Sequence, residues 1–397
     1  MTGPFAAHPP VRPAIAGAQL FPLSFADLEG WAADDHAAAM KAFRRSCRAA
    51  LERGRLRGGP SREALQPALL AACRAAADLP GPVDAETARR FFETWFVPHR
   101  VWPDATQPLR EDRAGFATAY FEPVVPGAAR RTQRFSAPLL KRPSDLERLA
   151  APQGGALAGY EWARRGPKGL EPYPDRAAID GGAIDDLIAT EDLVIAWLDP
   201  VDAFYVHIQG SARISLEDDG DASRDIRVTF AAKAGHPYTA IGRVLVQSGA
   251  LALEKADMAG IRAWLTANSE RRDAVLHANR SYIFFSVAED LDPALGPIGA
   301  EGVPLTPGRS VAVDRNIHAF GLPVWIGAEP KGADPKGARW RRLMVAQDTG
   351  SAILGPARAD LFVGTGPEAG AEAGPIAAPA DFVLLLPRTG MPPTDRP

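Results

Sequence analysis

The chain has 397 residues and a net charge of −3, and 46% of its residues are hydrophobic, enough for one or two substantial cores. That charge balance excludes an electrostatic footprint for nucleic acid but leaves room for a neutral polymer such as a polysaccharide. No run of about 18 apolar residues is present to span a membrane, and the 37 glycines and 37 prolines fall mostly between short apolar runs, which predicts many short strands joined by turns.

The opening stretch, MTGPFAAHPPVRPAIAGAQLF, has no continuous apolar segment and no cysteine, so residues 1–25 read as a tail rather than a signal peptide or lipoprotein leader. Three helices are predicted between about 26 and 97; the third opens at an N-cap, Asp84, and carries Phe91, Phe92 and Trp95 on one side. Met40, Phe43, Cys47 and Leu51 recur at helical spacing, as do Leu65, Leu69, Leu70 and Cys73. Both cysteines therefore lie on apolar helix faces. They read either as two buried thiols or as a disulfide clamping the helices, which requires an oxidising compartment.

From Pro98 onward strand-like runs dominate: FATAYF (116–121), LVIAWL (193–198), AFYVHIQ (203–209), ARISL (212–216) and IRVTFAA (226–232). Helical patterns follow at 236–249 and 256–268, the latter with an apolar stripe of Met258, Ile261, Trp264 and Leu265. After SYIFF (281–285), strands return as SVAV (310–313), PVWIG (323–327), RRLMVAQ (341–347), ADLFVG (359–364) and FVLLL (382–386). Residues 329–338 read as a polar exposed loop, 365–380 are Gly/Ala-rich, and 387–397 look like a loose tail.

Most chemistries lack their residues. There is no P-loop and no GxGxxG. The histidines, at 8, 36, 99, 207, 236, 277 and 318, form no HExxH or i, i+4 pair, so no metal site is expected. GSA at 210–212 lacks the GxSxG elbow, and neither cysteine sits where a reactive thiolate would. Carboxylates remain. Asp314 follows SVAV, Asp348 follows LMVAQ, and Asp360 opens ADLFV. Singly, each is an ordinary turn former. Together, at strand ends beside apolar sequence, they are partly desolvated and raise one another's pKa, as a general acid near neutral pH requires. The DTG at 348–350 suggests an aspartic protease, but it occurs once and leaves Asp360 without a role.

The run GPIGAEGVPLTPGRSVAVDRNIHAFGLPVWI (296–326), followed by LMVAQDTGSAILGPARADLFVGTGPEAGAEAG (343–374), closely resembles the three-aspartate (3D) domain that closes the membrane-bound lytic murein transglycosylase A (MltA) family. GFATAYFEP (115–123), YPDRAAIDGG (173–182), IAWLDPVDAFYVHIQGSARISL (195–216), AGHPYTAIGRVLV (234–246) and SYIFF (281–285) are similar to the same family's own signature, in its order. The resemblance covers roughly residues 113 to 375. It implies a mainly β fold with a helical N-terminal segment: a double-psi β-barrel and a second, inserted β-rich domain, with a glycan cleft between them. The boundaries would be a tail over 1–25, helices and the first part of the barrel over 26–123, the insert over 124–286, the 3D barrel over 287–390 and a tail over 391–397.

The resemblance further implies cleavage of the β-1,4 bond between N-acetylmuramic acid and N-acetylglucosamine in peptidoglycan, leaving 1,6-anhydromuramic ends. Asp360 matches the family's single catalytic acid; Asp348 and Asp314 match its other two aspartates. Thr118, Tyr120, Gln209, Gly210 and Ser211 are the candidate glycan contacts. No metal or cofactor is implied. The partners are peptidoglycan strands, with a monomeric protein and membership of a cell-wall enzyme complex left open. The location follows from the substrate: periplasmic, outer-membrane-associated in family members that carry a lipid anchor, although neither leader nor anchor can be read from this chain. A periplasmic protein with an even cysteine count favours a Cys47–Cys73 bridge. The alternative is a non-catalytic, expansin-like glycan-binding protein, which would have no use for an acid at Asp360.

Overall fold

A computed structural model describes residues 9–104, 115–151, 153–217, 224–289, 291–329 and 340–389. Most of the 329–338 loop and of the C-terminal tail lies outside them. The chain divides into two compact units, one made of Met1–Phe121 with Asp292–Pro397 and the other of Glu122–Leu291.

The first unit begins with β1 (Ala18–Pro22) and three helices, α1 (His36–Arg53), α2 (Ser61–Asp78) and α3 (Ala85–Trp95). Asp35 and Asp84 cap α1 and α3 by accepting the backbone N–H groups of Ala38 and Thr87. Phe43 of α1 meets Phe92 of α3 and the following Phe96 edge-on, at centroid distances of 5.6 and 5.7 Å. Cys47 and Cys73 are joined in a disulfide that ties α1 to α2, with Cα atoms 4.9 Å apart.

The remaining strands are β2 (Phe96–Pro103), β3 (Gly115–Glu122), β4 (Ser310–Ala312), β5 (Pro323–Ala328), β6 (Trp340–Asp348), β7 (Arg358–Thr365) and β8 (Ala377–Pro387). The last five and β3 pair in the order β8–β5–β6–β4–β7–β3, and β3 pairs back with β8, so six strands close a barrel. Strand β5 is buried at every residue and β8 is buried at Phe382–Pro387, which explains the continuous apolar runs there. Closure is tight at Gly115: a Cβ there would lie 2.8 Å from the Ala357 carbonyl oxygen and 2.9 Å from that of Ala380. Gly366–Ala373, within the Gly/Ala-rich stretch, forms a short helix between β7 and β8.

The second unit holds a four-stranded sheet of Val124–Gly127, Ser211–Leu216, Arg224–Lys233 and Ile283–Val287, with two smaller sheets and several short helices. Glu122 is fully buried at its start, held bidentately by Arg227 at 2.6 and 2.7 Å and by Arg213 at 3.0 Å. One expectation is corrected here. AFYVHIQ is not a strand but most of a helix, Pro200–Gln209. Asp199 caps it by accepting the Val201 N–H at 2.8 Å, Pro200 presets its first turn, and Gly210, at φ 80°, ends it. Val201, Ala203, Phe204, Tyr205, Val206 and His207 are all buried. A helix covered on nearly every side gives an unbroken apolar run that periodicity cannot tell from a strand. The helix expected over 236–249 is shorter, Ile241–Gln247. The one expected over 256–268 spans Met258–Ala267 and is followed by an unanticipated helix, Ser269–His277.

Candidate active site

Strand register brings two of the three aspartates together. The short strand β4 lies between β6 and β7, and its Ala312 is paired with Asp348 on one side and with Asp360 on the other. Asp348 and Asp360 thus become neighbours across a single residue. Residues alternate along β3 and β7, so Phe116, Thr118 and Tyr120 share one face of β3, and Arg358 and Asp360 one face of β7.

The two carboxyls are held differently. Thr118 Oγ1 donates to Asp360 Oδ1 at 2.5 Å and accepts from Arg358 Nη2 at 2.7 Å. Asp348 accepts at both oxygens, from the Tyr120 hydroxyl at 2.6 Å and from the Ala300 N–H at 2.9 Å. Burial pushes Asp360 up to about 6, against the lowering pull of the Thr118 bond and the Arg358 charge and with a further push from Asp348. Burial also raises Asp348, opposed by the bonds from Tyr120, Ala300 and Thr349. The Tyr120 phenol is driven well up by burial and then by Asp348, so it stays protonated and keeps donating.

Asp314 does not join them. Its side chain accepts from the N–H groups of Asn316 at 2.9 Å and Gly355 at 2.8 Å, and its carbonyl accepts from Ile317 and His318. It fastens two loops. Tyr120, one of the candidate glycan contacts, gives its hydroxyl to Asp348 and packs its ring beside Phe362 at 5.4 Å. Gln209, Gly210 and Ser211 belong to the second unit, where they end the Pro200–Gln209 helix and open the next strand; Ser211 is buried.

Three residues around the pair carry no motif in the sequence. Arg358 lies two residues before Asp360, and Phe116 two before Thr118; the period of two along a strand was the available signal. Ala300 acts through its backbone, which no side-chain pattern reveals. Its position is fixed by Glu301, whose N–H donates to the Gln347 carbonyl at 3.0 Å and whose buried carboxyl accepts from Ser46 of α1 at 2.6 Å. Burial raises Glu301 to about 7. Among the described residues no three His, Cys, Asp or Glu side chains are grouped so as to hold a metal.

A closed barrel whose aspartates meet across one short strand, interrupted in sequence by a β-rich unit, defines a 3D-domain protein with an insert. The 3D domain model matches residues 309–386, and the MltA specific insert domain model matches residues 116–286. The fold is similar to that of a membrane-bound lytic murein transglycosylase from Agrobacterium tumefaciens, at 38% identity and a TM-score of 0.80 over 93% of this chain and 98% of that one. It is similar also to MltA from Neisseria gonorrhoeae, at 32% identity and a TM-score of 0.72 over 98% of both chains. Among curated sequences, membrane-bound lytic murein transglycosylase A of Vibrio cholerae is 34% identical over 52% of this chain, and that of Escherichia coli K12 is 32% identical over 65%. The matched stretches span 54% and 61% of those two relatives. The chain belongs to the MltA family.

Proposed function

We propose that this chain is a lytic murein transglycosylase, cleaving the β-1,4 bond between N-acetylmuramic acid and N-acetylglucosamine in peptidoglycan and closing 1,6-anhydro ends, with Asp360 as its only acid/base. The observation that carries the reading is the asymmetry of the acid pair. Asp348 accepts at both oxygens, bonds that favour its carboxylate against the upward push of burial, whereas among the described residues Asp360 is bonded at one oxygen and has a pKa raised to about 6.

The hydrogen-bond directions support one place for the proton. A guanidinium can only donate, so the Thr118 hydroxyl accepts from Arg358 and has its own proton to give to Asp360 Oδ1. The acidic proton of Asp360 is thereby left to Oδ2. That proton goes to the glycosidic oxygen as its bond to the muramyl C1 breaks, and the N-acetylglucosamine departs as an alcohol. The Asp348 carboxylate favours the oxocarbenium-like charge growing at C1. The muramyl O6 then bonds to C1 while its proton returns to Asp360, which ends as it began. No water is consumed, and the paired water-activating carboxylate of an inverting hydrolase has no counterpart to fill. Ring closure is intramolecular, so orientation replaces a second reactant.

Asp314 serves the loops around the pair. Gln209, Gly210 and Ser211 are proposed glycan contacts of the second unit. The substrate and the relatives' names together support a periplasmic, outer-membrane-associated location; no helix among the described residues is long and apolar enough to cross a membrane. The test is Asp360→Asn, which keeps size but can neither give nor recover a proton. Murein turnover should fall by about 10⁴-fold while glycan binding persists. Turnover retained in that variant sinks the assignment, and binding without turnover in the wild type favours the expansin-like alternative.

A further inference from the structure

Arg358 is a cation in an unfavourable place. Its charge pulls Asp360 toward ionisation, opposing the burial that keeps the acid protonated. It is itself partly desolvated, since burial lowers its pKa. Yet among the described residues no carboxylate forms an ion pair with it: Nη2 donates to Thr118, Nη1 to the Ala359 carbonyl, and the guanidinium carbon sits 5.5 Å from the Phe116 ring centroid. Asp360 is the carboxyl whose charge supports Arg358, so a site that keeps that acid protonated leaves a partly desolvated guanidinium without a counter-ion, which is costly unless an anion arrives. Phe116 is 36% exposed although large and apolar. An open aromatic ring beneath an unpaired guanidinium, one hydroxyl away from the acid, suits a ring-shaped ligand that carries a carboxylate.

We propose that Arg358 and Phe116 form a subsite for the carboxylate of the muramyl residue whose C1 reacts, with Phe116 supporting the sugar side and Arg358 pairing with the anion. The subsite rests on the role given to Asp360. In a murein strand only the muramyl unit bears an acid. Its lactyl ether leaves from O3, two ring carbons from C1, and ends in a free carboxylate in peptide-free strands. In peptide-bearing strands that carboxyl is an amide, and the nearest carboxylates are on the stem. Chitin has neither. An arriving carboxylate also neutralises Arg358, which removes one of the influences lowering Asp360, so the correct substrate helps to keep its own acid loaded.

The experiment measures glycan affinity in the Asp360→Asn background, with and without Arg358→Met, on four probes: peptide-free murein glycan, the same glycan with its carboxylates amidated, peptide-bearing glycan, and a chitooligosaccharide of equal length. Arg358→Met should weaken binding of carboxylate-bearing glycan by about 10- to 100-fold and leave the amidated glycan and the chitooligosaccharide unchanged. A loss confined to peptide-free glycan identifies the lactyl carboxylate, and a loss confined to peptide-bearing glycan identifies the stem. Arg358→Lys, which keeps the charge, should retain part of the preference. Thr118→Val, which breaks the relay to Asp360 but leaves Arg358, should retain the preference for carboxylate. An equal loss on all four probes, no loss on any, or loss of the preference in Thr118→Val overturns the subsite. Cleavage by Asp360→Asn would instead overturn the acid assignment, and the binding ratios would still report on Arg358.

Discussion

Among the described residues one carboxyl oxygen of Asp360 accepts a hydrogen bond, whereas at Asp348 both do, and this difference sets the expected pH behaviour. The acid must be protonated in the free enzyme, and its pKa stands near 6, so kcat/KM on murein should fall as pH rises through about 6. The neighbours move that limb in opposite directions. Asp348→Asn removes a negative charge that raises Asp360, so the limb should shift to lower pH, with activity reduced but not abolished. Thr118→Val removes a bond that favours the carboxylate, so the limb should shift to higher pH. Profiles of the two variants that moved the same way, or not at all, would contradict this account of the pair.

Among the elements, β3 and the α1–α2 pair carry the most constraint. Strand β3 supplies Thr118 and Tyr120 and closes the barrel, and its first residue, Gly115, is wedged between two carbonyl oxygens. Gly115→Ala should destabilise the protein by about 1–3 kcal/mol in denaturant titration, because backbone on neighbouring strands cannot step aside. The Cys47–Cys73 bridge closes a loop of sequence separation 26, and its loss should cost about 2–4 kcal/mol. Denatured, unreduced protein should then show no titratable thiol, and two would contradict the bridge. The barrel strands were legible because SVAV, PVWIG and FVLLL are short apolar runs bounded by turn residues. The Pro200–Gln209 helix was not, since its buried residues fill both sides of the helical period. Pairing across β4 was hidden too: nothing in the spacing of Asp348 and Asp360 says that a third strand, ending at Ala312, lies between them.

Across the whole molecule, the site depends on the helical segment through Glu301, which links Ser46 of α1 to the loop holding Asp348. Its pKa is raised from 4.5 to about 7. The folded state therefore holds this proton more tightly than the unfolded chain, and its contribution to stability, full below about 4.5, is lost as pH rises to about 7. Wild type should lose up to about 3 kcal/mol more than Glu301→Gln over that range in paired denaturant titrations, and parallel curves would exclude the linkage. Asp348 and Asp360 were legible as strand-end carboxyls beside apolar sequence, where burial raises both. Arg358, Phe116 and the Ala300 N–H needed the folded register. The central claim is that one aspartate breaks the glycan without water. It is tested most directly by mass spectrometry of the soluble products of purified murein. Proton return to Asp360 from O6 predicts muramyl ends lighter by one water than hydrolysed ends, whereas reducing ends carrying that water would contradict it.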